Sequence, residues 1–274
     1  MARIIALSSL VARGHVGLSA VAPALQRLGH DVIVLPTVLL SNHPGHARTA
    51  GMTVPAETLA AMLDALDANG WLGEVDGVLS GYLPSPAHVR FAASLVERVR
   101  RRRPDTRFFC DPVLGDDPKG LYVDGETALA VRDELLAHAD VITPNRFELD
   151  WLSGKPVRDS SSATGAARAL GVATTLATSI PTAGNALANL LVTAHGAMQC
   201  VVEQRTDVPH GTGDFIAALF AGFYLSGGRD EDLLARATAA VACVVEASLG
   251  RDELDLIGTQ EAWSHAPPLP VDVL

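Results

Sequence analysis

The sequence predicts an α/β chain built on a mostly parallel central sheet, and three observations carry that expectation. Short β-branched or apolar runs alternate with longer amphipathic segments, the order of a doubly wound sheet. A chain of 274 residues is long enough to bury a sizeable core. Apolar residues make up 48% and charged residues 19%, a globular composition and not a disordered one.

The elements follow in order. A strand over Arg3–Ser8 leads to a helix over Gly17–Leu28, and a strand over Asp31–Pro36 to a helix over Ala56–Asn69. The alternation continues with strand Gly77–Ser80, helix Pro86–Arg101, strand Arg107–Asp111 and helix Gly125–His138. Strand Val141–Thr143, helix Asn145–Leu152 and strand Val172–Thr178 complete the parallel part. Leu187–Thr193 and Ala197–Glu203 read as an antiparallel hairpin about His195-Gly196, followed by helices Gly213–Leu225 and Glu231–Leu249 and a polar, Pro-rich tail. With no repeat, low-complexity tract or linker, one domain over 1–274 is the expectation.

Several function classes fall away. A net charge of −10 argues against nucleic acid as a partner, since phosphate backbones need a Lys and Arg surplus. It does not exclude a nucleotide, because backbone amides and a metal supply local positive potential. The basic run Arg98–Arg103 reads as compensation of a helix C-terminus on a solvated face. Cys110, Cys200 and Cys243 are too few and too scattered for a disulfide framework or a zinc cluster, so reduced, mostly buried thiols of a cytoplasmic protein are expected. The opening Met1-Ala-Arg-Ile-Ile-Ala-Leu is too short an apolar run for a signal peptide. Gly171 to Val202 holds no Asp, Glu, Lys or Arg and tempts a membrane assignment. Pro181, Gly184, Asn185, Asn189 and Gly196 interrupt it, and three strands joined by turns are the better reading.

Three motifs carry chemistry. His210-Gly-Thr-Gly-Asp-Phe215 precedes an apolar helix. Small residues there let amides at the helix N-terminus approach an anion, and an aspartate in the same turn can take a proton from a substrate hydroxyl. By itself the motif is equally an ordinary turn with an N-terminal helical aspartate. Val141-Ile-Thr-Pro-Asn-Arg-Phe-Glu-Leu149 places Asn145 as an N-cap and Glu148 at capping-box spacing. Phe108-Phe-Cys-Asp-Pro-Val-Leu-Gly115 sets Asp111 at the C-terminal end of a buried strand, where ligands of open α/β sheets gather, although Asp-Pro also opens ordinary loops.

Taken in this order, the three motifs resemble those of the ribokinase superfamily, which implies a ribokinase-like three-layer αβα sandwich. The resemblance implies Asp214 as general base, Gly211, Thr212 and Gly213 as an anion hole, and an Asn-x-x-Glu motif at Asn145 and Glu148 that organises magnesium and triphosphate through water. Asp111 then lies near metal and phosphates, and Thr178-Ser179 at the ATP phosphates. The N-terminal half is similar to the pyridoxal kinases. Ser9, before Arg13-Gly-His-Val-Gly17, resembles their ring-contacting serine. Thr37, His43 of Ser-Asn-His, and Tyr82 of Ser-Gly-Tyr match positions lining the vitamin pocket. Residues 115–120 resemble a lid over ATP, and Val201 to Val208 falls near the adenine. Each pocket residue alone is also readable as a strand-end cap, a surface aromatic or a loop residue.

The resemblance implies ATP-dependent phosphorylation of the 5′-hydroxymethyl of pyridoxal, with Mg2+ as cofactor, K+ left open, a homodimer, and neither nucleic acid nor membrane as partner. Leu10 and Leu18 depart from the family pattern at positions usually polar, and Leu121 replaces a lid cysteine of some relatives. Two rivals stay open: a hydroxymethylpyrimidine kinase, and a vitamin-binding protein without turnover. A dinucleotide-binding protein is excluded by the lack of Gly-x-Gly-x-x-Gly after an early strand.

Overall fold

The computed structural model describes residues 1–274. In chain order the elements are β1 (Arg3–Val11), α1 (Leu18–Arg27), β2 (Asp31–Leu40), β3 (Gly51–Thr53), α2 (Ala56–Ala68), β4 (Gly77–Ser80) and α3 (Pro86–Arg102). Then come β5 (Arg107–Cys110), β6 (Gly115–Asp116), β7 (Gly120–Leu121), α4 (Gly125–Ala130), β8 (Val141–Ile142), α5 (Arg146–Ser153) and α6 (Ser160–Ala169). The chain ends with β9 (Thr174–Pro181), β10 (Ala186–Thr193), β11 (Gly196–Glu203), α7 (Thr212–Leu225), α8 (Asp230–Ser248), α9 (Gln260–Ser264) and β12 (Asp272–Val273).

Ten strands form one sheet in the order β12-β11-β10-β9-β8-β5-β4-β1-β2-β3, and β6 and β7 make a separate hairpin. The run β2-β1-β4-β5-β8-β9 is parallel throughout. Antiparallel strands extend it at both edges. Strand alternation feeds two cores: Ile4, Ala6, Leu79 and Phe109 face α1, α7 and α8, whereas Ile5, Leu7, Val78 and Phe108 face α2 and α3. Burial on both faces explains why these strands read as continuous apolar runs. Helix α7 is buried from Phe215 through Phe223, as a helix enclosed on all sides must be.

The chain moves outward from β1 to β2 and then returns to β4 on the other flank of β1. That reversal opens a crevice at the carboxyl ends of β1 and β4, the place where such sheets hold ligands. The three-layer αβα architecture and the three strands across Gly171 to Val202 are as expected, and no helix is long and apolar enough to cross a membrane. Arg98, Arg100, Arg102 and Arg103 each pair with Asp64, Asp67, Asp76 or Asp140 on neighbouring segments. Cys110 and Cys200 are buried and Cys243 partly so, all as free thiols.

Elsewhere the elements differ from expectation. The segment Gly125–His138 is not one regular helix: α4 passes into a wide turn over Val131–Leu135 and a tight turn over Leu136–His138. Helix α6 was not expected, because Ser-Ser-Ser-Ala-Thr-Gly-Ala-Ala carries no large apolar stripe. It is held instead by a capping box between Asp159 and Ser162 and by burial of Ala163, Ala166 and Ala167. The tail contains α9, whose Trp263 packs edge-on against Phe215, and β12 pairs with β11. Strands β3, β6 and β7, of two or three residues each, are too short to leave a period in the sequence.

Candidate active site

The start of α7 is shaped by one glycine. Gly211 has φ +110°, and a Cβ there would collide with the carbonyl oxygen of His15. Both the left-handed backbone and the close approach demand glycine. No side chain caps α7, so the amides of its first turn face outward beside Thr212 and Gly213 with the positive end of the helix dipole. Gly213 is exposed with open space around it.

Asp214 stands in that first turn, partly open to solvent. Its Oδ1 lies 3.9 Å from the position a Cβ would take at Gly81, on the loop after β4. Loss of hydration pushes its carboxyl up to about 6, and the Gly17 amide beside it acts in the opposite direction. A carboxyl in this range ionises near neutrality while keeping useful basicity.

Asp111 follows β5 and is buried; Thr143 Oγ1 donates to its Oδ1 at 2.8 Å. Burial, then the charges of Glu148 and Asp214, raise its carboxyl well above the usual range. Asn145 and Glu148 form a full capping box: Asn145 Oδ1 accepts from the Glu148 amide at 2.9 Å, and Glu148 Oε2 from the Asn145 amide at 2.9 Å. Glu148 Oε1 accepts from the Leu114 amide at 2.9 Å and the Gly115 amide at 3.4 Å. Burial nonetheless pushes Glu148 up to about 8. The capping role and a place beside Asp111 therefore coexist in one residue.

No group of three or more His, Cys, Asp or Glu side chains is disposed to hold a metal ion by itself. Asp111, Glu148 and Asp214 still leave an electrostatic deficit, since each is raised by burial and the first also by the other two. A hard divalent cation completed by substrate phosphates and water fits that deficit. Asp111 is the residue suited to reach it, because the Glu148 oxygens are already engaged by amides.

Thr178 and Ser179 lie on β9, beyond β8. The Thr178 amide donates to Pro144 O at 2.9 Å, which ties β9 to the Asn145 turn. Ser179 is exposed at φ +58°, uncommon for a non-glycine, and its amide donates to Asn189 Oδ1 at 3.4 Å.

The other end of the crevice gathers Ser9, Thr37, His43 and Tyr82. Ser9 falls where the β1–β2 register shifts, between the pairs Ser8↔Pro36 and Leu10↔Leu39. Such an irregularity re-aims side chains near sites. Gly17, at φ +53°, packs so closely on Ser9 that a Cβ would collide with it. Thr37 is fully buried and donates to Tyr82 O at 2.8 Å, while the Tyr82 amide donates to Ser8 Oγ at 3.0 Å. Thr37 thus meets the crevice through Tyr82, whose ring is half-buried. His43 stacks on His210 with centroids 4.0 Å apart. The hairpin β6–β7 joins α5 through an ion pair of Asp117 with Arg146 and through Asn145 Nδ2 donating to Gly115 O at 2.8 Å.

Leu18 is fully buried and Leu10 half-buried, both in the core beneath the crevice. Leu18 also lines the small cavity that holds Ser8, Asp111 and Asp214. Leu121 is exposed on β7, and Val201 on β11. Sequence reasoning assigned nothing to Ser8, Thr143, Asn189 or His210. Thr143 and His210 adjoin motifs that were read, and that adjacency was the available signal.

The phosphomethylpyrimidine kinase family profile matches residues 19–254. The chain is 34% identical to the pyridoxal kinase PdxY of Corynebacterium diphtheriae, over 98% of both chains. It is 36% identical to that of Deinococcus radiodurans, over 94% of this chain and 91% of the relative. Pyridoxal kinase from Leishmania donovani, solved in complex with ADP and pyridoxamine, superposes over 100% of both chains with TM-score 0.94 at 31% identity.

Proposed function

The chain belongs to the pyridoxal kinases of the phosphomethylpyrimidine kinase family, and from that premise we propose how its crevice transfers phosphate. The enzyme phosphorylates B6 vitamers with ATP. The finer reading is transfer of the γ-phosphoryl to the 5′-hydroxymethyl of pyridoxal, giving pyridoxal 5′-phosphate and ADP.

Asp214 accepts the hydroxyl proton as the new O–P bond forms and the bond from Pγ to the bridging oxygen of ADP breaks. The amides beside Gly211, Thr212 and Gly213 hold the transferring oxygens, an arrangement that supplies charge stabilisation without reorganisation. Mg2+, when bound, supplies neutralisation of the phosphate charge. Asp111 is the side chain that would hold it, Glu148 and Asn145 would act from the capping turn, and Thr178 and Ser179 would meet the ATP phosphates. Ser9, His43 and Tyr82 orient the vitamin, with Thr37 acting through the Tyr82 carbonyl. One domain over 1–274, assembled as a cytoplasmic homodimer, is the accompanying proposal.

One observation carries this reading: a partly open carboxyl, raised to about 6, in the first turn of an uncapped helix. A pure binding protein gains nothing from a base there. A pyrimidine acceptor is favoured by the description of the matching family alone. The test is product mass after incubation with MgATP and pyridoxal, pyridoxine, pyridoxamine or hydroxymethylpyrimidine. Saturable phosphorylation of pyridoxal is expected; turnover of the pyrimidine alone would move the acceptor assignment while leaving the transfer machinery in place.

A further inference from the structure

We propose that His210 is a positioning residue for the acceptor, stacking on His43 and thereby docking the loop 41–49 onto the turn that forms the anion hole. This rests on the acceptor reading above, and it concerns a contact between two segments that are far apart in the chain.

The two sides of the contact differ in stiffness. His210 adjoins Gly211, whose backbone is pinned against the His15 carbonyl. The His15 ring is itself fixed by Nδ1 at 2.7 Å from Leu254 O. His210, itself exposed, is therefore mounted next to a backbone packed closely on a fixed neighbour. The loop 41–49 is compact because Asn42 Nδ2 donates to His43 O at 3.1 Å, Arg48 O at 3.0 Å and Thr49 Oγ1 at 3.2 Å. Its neck is closed by the Ser41 amide on Ala50 O at 2.7 Å. A loop tied to itself in this way moves as a unit, and the contact between it and His210 is the ring stack, 4.0 Å between centroids at 30°.

Gly45 completes the fit. Its amide donates to His43 Nδ1 at 3.0 Å, and a Cβ there would stand 2.9 Å from His43 Nδ1 and 3.0 Å from His210 Nε2. That hydrogen bond makes Nδ1 the acceptor, so a neutral His43 carries its proton on Nε2. The titratable and charged groups facing the pair are Lys119 of the β6–β7 hairpin, His46 of the same loop and Asp116. Loss of hydration, then His210 and Lys119, lower His43 to about 4, and loss of hydration with Lys119 lowers His210, so two neutral rings stack at neutral pH. Docking the loop thus holds the vitamin-side His43 against a residue adjacent to Gly211, while the anion-hole turn itself is fixed separately against His15.

The test uses H210A, H43A, the double variant and H210F, with two readouts. The first is steady-state kinetics with pyridoxal and ATP varied separately. The second, independent of turnover, is the rate of tryptic cleavage after Arg48, followed by the mass of the 1–48 fragment. An aromatic contact of this kind should make H210A raise the acceptor KM by about threefold to tenfold, with ATP KM and kcat within about twofold. Cleavage after Arg48 should accelerate by a similar factor. H43A should accelerate cleavage equally and raise the acceptor KM at least as much, since it also removes a vitamin contact; the double variant should do no more than H43A, and H210F should restore both readouts. Unchanged cleavage in H210A, additive effects, or an H210F as impaired as H210A would overturn the proposal. If the unmodified enzyme phosphorylates no B6 vitamer, the preceding reading fails, and the cleavage series still decides this one.

Discussion

The end of the crevice proposed for phosphoryl transfer is held by main chain, and the end proposed for the acceptor by side chains that reach between distant loops. At the first, Glu148 takes three backbone amides, Gly211 is wedged under His15, and α7 offers its uncapped first turn. At the second, Thr37 reaches the Tyr82 carbonyl, Ser8 takes the Tyr82 amide, and His43 stacks on His210. Main-chain geometry restricts residue type locally, so it leaves motifs. At the other end Ser9, Thr37, His43 and Tyr82 were found through their resemblance to a family's short motifs, and their contacts with one another were not legible. Substitutions should consequently damage the two ends in different ways, one through turnover and the other through acceptor affinity.

The largest effect is expected from Asp214→Asn, which keeps size and polarity but removes the proposed base. Turnover should fall by about two or more orders of magnitude with ATP affinity nearly unchanged. Near-normal kcat in that variant would remove the base from this end altogether. Gly211→Ala comes next, because it meets both positive φ and the His15 carbonyl. A stability loss of about 1–3 kcal/mol by urea unfolding and a kcat drop larger than any KM change are expected. Accommodation without loss would show that the turn is not wedged.

At the acceptor end, Thr37→Val keeps the shape and leaves the Tyr82 carbonyl without its donor. The expected cost is about 1–3 kcal/mol of stability, with a severalfold rise in acceptor KM and an unchanged ATP KM. A rise in ATP KM instead would erase the distinction between the two ends.

A smaller effect concerns pH. Glu148, pushed up to about 8, keeps its proton in the folded chain where the unfolded chain has released it. The native state then binds more protons, so stability is fully present below the ordinary carboxylate range and declines as pH rises through about 8. His43 and His210 are lowered and contribute with the opposite sign, but at pH values below the ordinary histidine range. Between about pH 7 and 8.5 the stability read from urea unfolding without ligands should therefore drift downward, on the order of 1 kcal/mol per unit from Glu148 with Asp111 adding in the same direction, and Mg2+ with ATP should flatten the slope. A midpoint rising with pH in that window would contradict a protonated Glu148.

Legibility in the sequence follows the same division. The parallel strands were readable because both of their faces are buried, and Asp214, Asn145, Glu148 and Asp111 because each ends a strand or starts a helix. Helix α6 was not readable, since its burial rests on alanines. His210 was visible beside the glycines, yet its partner lies in a loop far earlier in the chain. Leu10 and Leu18, which depart from the family pattern, join the core, and Leu18 also lines the cavity beside Asp111 and Asp214.

The most direct test of the mechanism is the pH dependence of kcat/KM for pyridoxal at saturating MgATP, because that ratio reports ionisation in the enzyme before the acceptor binds. A single acid limb with its midpoint near the Asp214 value of about 6, absent from the residual activity of Asp214→Asn, is the expected result. A rate that stays level from about pH 5 to 8, or a limb that survives unchanged in the variant, would contradict the assignment of Asp214 as the base.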